Sequence, residues 1–203
     1  MPESRRRPLT LAAVVAVLGL LLAACGSTPE KFTGTRLDNP YTAPDVELTD
    51  TAGAPYSLAK DSRKPLTIVF FGYTHCADYC PLVMNNLSAA LNRLDSADRA
   101  KVDVVFVTTD PARDDEKTLR KYLDGYGKDF IGLTGPLPTI IEAGEPLHVY
   151  VNDGVKLPTG GYDLGGHSTF TLGMRGDHAV ALWSQETSSI EFAADFHALL
   201  NDD

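Results

Sequence analysis

Cys76 and Cys80 are the residues of this 203-residue chain whose type and spacing could do chemistry, and they stand in the stretch Gly72-Tyr73-Thr74-His75-Cys76-Ala77-Asp78-Tyr79-Cys80-Pro81. Two cysteines four apart at the head of a helix fall on one face, close enough to share a metal ion or to close a disulfide. The positive end of the helix would favour their thiolate form. A bridge across so short a loop removes little chain entropy, so a working pair is expected rather than a structural staple. Metal site and redox pair both remain open on spacing alone.

The elements that must hold this pair are legible on either side of it. Leu66 to Phe71 is an apolar, β-branched and aromatic run that breaks at Gly72, the signature of a buried strand. After the cysteines, Pro81 opens a segment in which Val83, Leu87, Leu91 and Leu94 recur at helical spacing. Strand, reactive loop and helix therefore follow without interruption. Lys101 to Thr109 reads as a second buried strand ended by Asp110-Pro111, and Asp114 to Tyr126 as a helix with acids first and bases later. Asp110 and Asp114 read as a strand stop and a helix N-cap. Phe130 to Leu133 is a short third strand, and Thr139 to Leu147 a helix that Gly144 and Pro146 should end early. Asn152 to Gly166 holds five glycines and reads as a long loop that delivers His167. His167 to Met174 and Ala179 to Trp183 form a hairpin, and Ser188 to Leu200 a last helix with Ile190, Phe192, Ala193, Phe196 and Leu200 on or near its apolar side.

Ahead of the core, Pro44 to Leu58 reads as a small capping hairpin with Asp50-Thr51-Ala52-Gly53 at its turn. The whole order is that of a thioredoxin-like domain, an α/β fold whose central mixed sheet is flanked by helices, here with an N-terminal β-hairpin. In that arrangement the reactive loop follows the first core strand, and the segment entering the terminal hairpin comes up beside it. His167 would then meet Cys76 and Cys80.

With 43% apolar residues, the chain fills one core and is too short for two once its N-terminus is set aside. Met1 to Ala24 has three arginines near its start, an uncharged apolar run from Leu9 to Leu22 and a small-residue ending, which reads as a secretion signal. The ending Leu22-Ala23-Ala24-Cys25 resembles the bacterial lipobox, which implies cleavage before Cys25 and lipid on its sulfur. Residues 1–24 are thus expected to be a lipoprotein signal peptide, residues 25–39 a lipidated tether, and residues 40–203 the folded domain, on the extracytoplasmic face of the cell membrane. Removing residues 1–24 takes away three arginines and one glutamate and moves the formal charge from −9 to −11. So acidic a surface excludes nucleic acid as a partner.

Beyond these readings, the chain resembles the Sco/SenC family of copper-binding, thioredoxin-fold proteins. Thr74-His75-Cys76 leading into Cys80-Pro81 is similar to the family's Cys-x-x-x-Cys-Pro loop. Asp110-Pro111-Ala112-Arg113-Asp114, Gly132-Leu133-Thr134-Gly135 and His167-Ser168 match three further landmarks in order. The turn Arg175-Gly176-Asp177-His178 departs from the family's usual Asp-Pro-Asp-Gly type. The resemblance implies Cys76, Cys80 and His167 as ligands of one copper ion per chain, as Cu(I) or Cu(II), in a domain of residues 40–203. It also implies a role in building the dinuclear copper centre of cytochrome c oxidase subunit II. Other extracytoplasmic copper chaperones or thiol reductants would be further partners. Two thiolates and an imidazole are a soft set suited to Cu(I), whereas structural zinc normally takes four protein ligands. Asp78, inside the cysteine loop, could orient a ligand, and His75, His148, His178 and His197 read as surface or supporting residues.

The alternative is a thiol:disulfide oxidoreductase that reduces the ligand cysteines of the oxidase subunit through a Cys76–Cys80 redox pair. Against general disulfide exchange stand three residues between the cysteines where a thioredoxin enzyme has two. Against a peroxidase of the peroxiredoxin kind, Thr74 precedes Cys76 by two positions rather than three. A copper-responsive signalling lipoprotein without a client is a fourth reading.

Overall fold

Strands buried on both faces need apolar residues at every position, and the two runs that have them form the centre of the sheet. The computed structural model describes residues 32–151, 155–156, 162–163 and 168–202. In chain order the first elements are β1 (Thr35–Thr42), β2 (Leu48–Asp50), β3 (Pro55–Tyr56), α1 (Leu58–Asp61), β4 (Leu66–Gly72) and α2 (Tyr79–Leu91). Next come α3 (Ser96–Arg99), β5 (Val102–Thr108), α4 (Glu116–Leu123), β6 (Ile131–Thr134) and α5 (Leu137–Gly144). A single 3₁₀ turn at Glu145–Leu147 follows, then β7 (Val155–Lys156), β8 (Tyr162–Asp163), β9 (Thr171–Arg175), β10 (His178–Trp183) and α6 (Ser189–Asn201).

The main sheet has the order β1-β10-β9-β4-β5-β6-β2-β3. β4, β5 and β6 run parallel and their neighbours antiparallel, so the sheet is mixed as expected. Alternate residues of the central strands feed two separate cores. Ile68, Phe70, Val104 and Phe106 face α2, α4 and α6, where Met84, Leu87, Leu119, Phe192 and Phe196 are buried. Val69, Phe71, Val105 and Val107 face the other way, onto Ile140, Ala143 and Leu147.

Several expectations change. The stretch to Asn39 is no tether in its last part: Thr35 and Arg36 pair with Leu182 and Ala181 as an edge strand of the sheet, and the compact unit runs from Phe32 to Asp203. Polar and exposed, β1 carries no alternating apolar signal, because an edge strand is held by backbone pairing that side chains do not advertise. The Pro44 to Leu58 hairpin extends the sheet rather than capping it, since β2 pairs with β6. Asp50 closes its turn by accepting from the backbone of Ala52 and Ala54, with Gly53 at φ 80°. Leu94 lies beyond the end of α2 yet packs on the core, and Ile190, in the first turn of α6, is exposed. Within the expected long loop, β7 and β8 pair as a short antiparallel ribbon.

Two buried carboxylates lock α6 in place. Asp195 accepts from Trp183 Nε1 at 2.7 Å and from the backbone of Thr33 and Gly34. Asp98 accepts from Lys101 and pairs with His197 and Asn201, tying α3 to α6. These contacts, His197 first, hold the Asp98 carboxyl below its ordinary value of 3.8. A depressed folded value means stabilisation that is present above the unfolded pKa and lost as pH falls through the folded one. Asp98→Asn should therefore lower the thermal midpoint at neutral pH, with the difference from wild type closing as the solution is acidified below the ordinary carboxylate range. A difference that persisted unchanged into strong acid would remove Asp98 ionisation as its cause.

Candidate functional site

β4 releases the chain at Gly72 into the cysteine loop, and only glycine fits there. A Cβ would lie 2.8 Å from Phe70 Cε1, 3.0 Å from Cys80 Sγ and 3.1 Å from Phe106 Cε2. The loop then closes on itself: Cys76 N–H donates to Tyr73 O at 3.2 Å, and Cys80 N–H donates to Cys76 Sγ at 3.4 Å. Cys80 is already in the first turn of α2, followed by Pro81, whose missing N–H would have had no helical partner there. The sulfur of Cys76 thus sits over the head of the helix that carries Cys80. Both are free thiols, 5% and 0% exposed, and both belong to the apolar core under α2.

That burial reverses one expectation. The helix end was expected to favour thiolates, but desolvation pushes the Cys80 thiol well above its ordinary value of 9.0. A hydrogen bond from the Tyr73 backbone opposes the rise, and the neighbouring Cys76 adds to it. The partial charge of a helix end acts over one turn and contributes about 0.3–1 kcal/mol in exposed settings, less than the desolvation of a fully buried thiolate. Without a cation Cys80 rests as a neutral thiol. Tyr73 is affected in the same way, its hydroxyl pushed up to about 12 by burial first and by Cys76 next.

The carboxylate that reaches the loop is Asp114, and sequence reasoning placed it elsewhere. The N-cap of α4 is Asp115, which accepts from Thr118 N–H at 2.7 Å. Asp114, 0% exposed, points the other way. Its Oδ2 accepts from Thr74 N–H at 2.9 Å and from Thr108 Oγ1–H at 2.7 Å, and its Oδ1 from Thr74 Oγ1–H at 2.5 Å. The doubled acid Asp114-Asp115, of which capping uses only one, is the sequence signal of a second role, though it does not say which of the two takes it. Asp78, the residue expected to support a ligand, is exposed at the N-cap position of α2 and makes no side-chain cap hydrogen bond.

His75 turns toward this carboxylate: its Nδ1 lies 3.1 Å from Thr74 Oγ1 and 3.7 Å from Asp114 Oδ1. The Thr74 hydroxyl proton is given to Asp114, so Nδ1 pairs with Thr74 as the donor. His148, His178 and His197 lie against Tyr41, Thr42 and Asp98, away from the cysteines. Among the described residues no group of three His, Cys, Asp or Glu is placed to hold a metal. His167 and Cys25 lie outside the described residues. The segment after His167 is described: Ser168 N–H donates to Tyr150 O at 3.0 Å, and Ser168 Oγ accepts from Tyr150 N–H at 2.9 Å. β9 then pairs Thr171 with Phe70, so the chain enters β9 at the end of the sheet where β4 releases the cysteine loop.

Residues 35–201 match the SCO1/SenC family model. The chain is 30% identical over 148 residues to an SCO2-like protein of Rickettsia conorii, covering 70% of each. Across other curated relatives it spans 32 to 63% of their length. The solution structure of apo Sco1 from Thermus thermophilus superposes with a TM-score of 0.76 at 29% identity, covering 86% of this chain and 99% of that one. Bradyrhizobium japonicum ScoI with copper bound does so with a TM-score of 0.67 at 28% identity, covering 78% and 99%.

Proposed function

This chain belongs to the SCO1/SenC family, and on that premise we propose that it is an extracytoplasmic copper chaperone, anchored to the membrane by lipid on Cys25. It binds one copper through Cys76, Cys80 and His167 and helps assemble the dinuclear copper centre of cytochrome c oxidase subunit II. The observation that carries this reading is the pair of buried free thiols stacked at the head of α2. Copper is the cargo, and the donor set fits it: two sulfurs buried at the edge of an apolar core suit a soft monovalent cation. The cation supplies the positive charge that buried Cys80 needs in order to lose its proton. Each thiol gives up one proton on loading, and the loop keeps both sulfurs on the same helix end throughout. The register of β9 with β4 supports His167 as third ligand, because His167 is four residues from Thr171 and reaches at most about 14 Å from it. Among the described residues no helix is long and apolar enough to cross a membrane.

The burial of Cys80 also weighs against the oxidoreductase reading, since thiol–disulfide exchange needs an accessible thiolate. The test is a titration of the reduced protein with Cu(I) against a competing chelator, in wild type and His167→Ala. One copper per chain is expected, held about tenfold or more weakly by the variant, a change of about 1.4 kcal/mol. Equal affinity would take His167 out of the site, and no copper uptake by the wild type would overturn the chaperone reading. Rapid reduction of an oxidised subunit II copper-site domain would favour the oxidoreductase instead.

A further inference from the structure

We infer that Asp114 is the positioning residue of the thiol site, holding the loop from Thr74 to Cys80 in the geometry that receives metal; this rests on the copper reading above. The loop's own bonds close a single turn, from Cys76 N–H to Tyr73 O and from Cys80 N–H to Cys76 Sγ. With the bond from the Tyr73 backbone to the Cys80 thiol, they hold the cysteines to each other and to the end of β4, but not to β5 or β6. Asp114 makes that second tie. Its carboxylate takes both the amide and the hydroxyl of Thr74, two residues before Cys76, which fixes the orientation of that peptide as well as its position. The post itself cannot easily move. Its amide donates to Asp110 O at 3.0 Å, its carbonyl accepts from Thr134 Oγ1–H at 3.0 Å in β6, and its Oδ2 also holds Thr108 at the end of β5. The loop after β4 is thereby registered to the ends of β5, beside it in the sheet, and β6, one strand further out.

The chemistry of the group argues for a purpose beyond capping. A carboxylate that is 0% exposed is expensive to desolvate unless charge-assisted hydrogen bonds compensate it, and capping α4 already has Asp115. What the buried charge achieves is a cysteine loop held rigid before any metal arrives. A preformed pair of sulfurs spares the ordering entropy that a loose loop would lose on binding.

The test uses the full chain, reduced, as wild type, Asp114→Asn and Thr74→Val. Three quantities are read well below the thermal midpoint of each: Cu(I) affinity against a competing chelator, the rate of iodoacetamide labelling of Cys76 and Cys80 in the metal-free protein followed peptide by peptide, and the midpoint itself. Asp114→Asn is expected to weaken Cu(I) by about ten- to a hundredfold, the usual effect of removing a group that orients a ligand. It should also speed labelling of both cysteines. Thr74→Val loses the hydroxyl and keeps the amide contact, so both effects should recur at smaller size. A lowered midpoint with unchanged affinity and labelling would make Asp114 a merely structural residue and overturn the inference. If Asp114→Asn does not fold, Thr74→Val decides by the same two readouts. A wild type that takes up no copper would overturn the chaperone reading alone, and labelling would still decide the role of Asp114.

Discussion

Cys80→Ser is expected to abolish Cu(I) loading, with affinity falling by about a thousandfold or more, some 4 kcal/mol. A serine hydroxyl does not ionise in this range and is a hard donor, so the soft cation loses half of its sulfur. The site has no substitute donor set nearby, because His75 is engaged with Thr74 and, among the described residues, no group of three His, Cys, Asp or Glu is placed to hold a metal. Some destabilisation will accompany the loss, since Cys80 is 0% exposed among apolar neighbours, where a hydroxyl costs more to bury than a thiol. Cys80→Ala separates the two effects: it avoids the buried hydroxyl and should bind copper just as poorly. Chelator competition and thermal melts on both variants check this. Retention of wild-type affinity within a few-fold by either would mean that copper is held elsewhere.

The largest loss of stability is expected from Asp195→Ala. Its carboxylate, 1% exposed, accepts from Thr33 N–H, from Gly34 N–H at 2.8 Å and from Trp183 Nε1–H at 2.7 Å. Alanine would leave three donors without their acceptor and a gap beside the Trp183, Phe192 and Phe196 rings, which pack at centroid distances of 5.4 to 5.7 Å. At about 1–3 kcal/mol per stranded buried donor, and with Thr33 and Gly34 able to turn partly to water, the net cost should be about 3 kcal/mol. Gly34 cannot simply be displaced inward, because even a Cβ there would come within 2.4 Å of Trp183 Nε1. Urea unfolding measures the total, and amide exchange at Thr33 and Gly34 shows where it arises. A change under about half a kcal/mol would mean that this carboxylate does not hold the N-terminal segment to α6.

The central strands and the cysteine loop were readable in the chain because their signals are local. Leu66 to Gly72 and Val102 to Thr108 are buried at nearly every position and had to be apolar throughout. Cys76, Cys80 and Pro81 occupy one turn whose geometry follows from their spacing. Ser188 and Glu191 form a capping box that marks the last helix in the same way. The resemblance to Sco/SenC proteins rested on such short stretches, and the family match over residues 35–201 agrees with it.

Other features needed the tertiary structure because they join residues far apart in the chain. β1 is a strand only because β10 offers it an edge, and its own polar side chains say nothing of that. Thiolate preference at Cys80 turned on burial, which spacing does not reveal, and desolvation outweighed the helix end. Which of two adjacent aspartates caps α4 and which grips Thr74, 40 positions earlier, was likewise undecidable from local pattern. The sequence determined by itself the kind of chemistry, two thiols at the head of a helix, because residue type and short spacing carry it. The fold alone decided the protonation of Cys80 and the anchoring of its loop, because both depend on what distant segments bring against it.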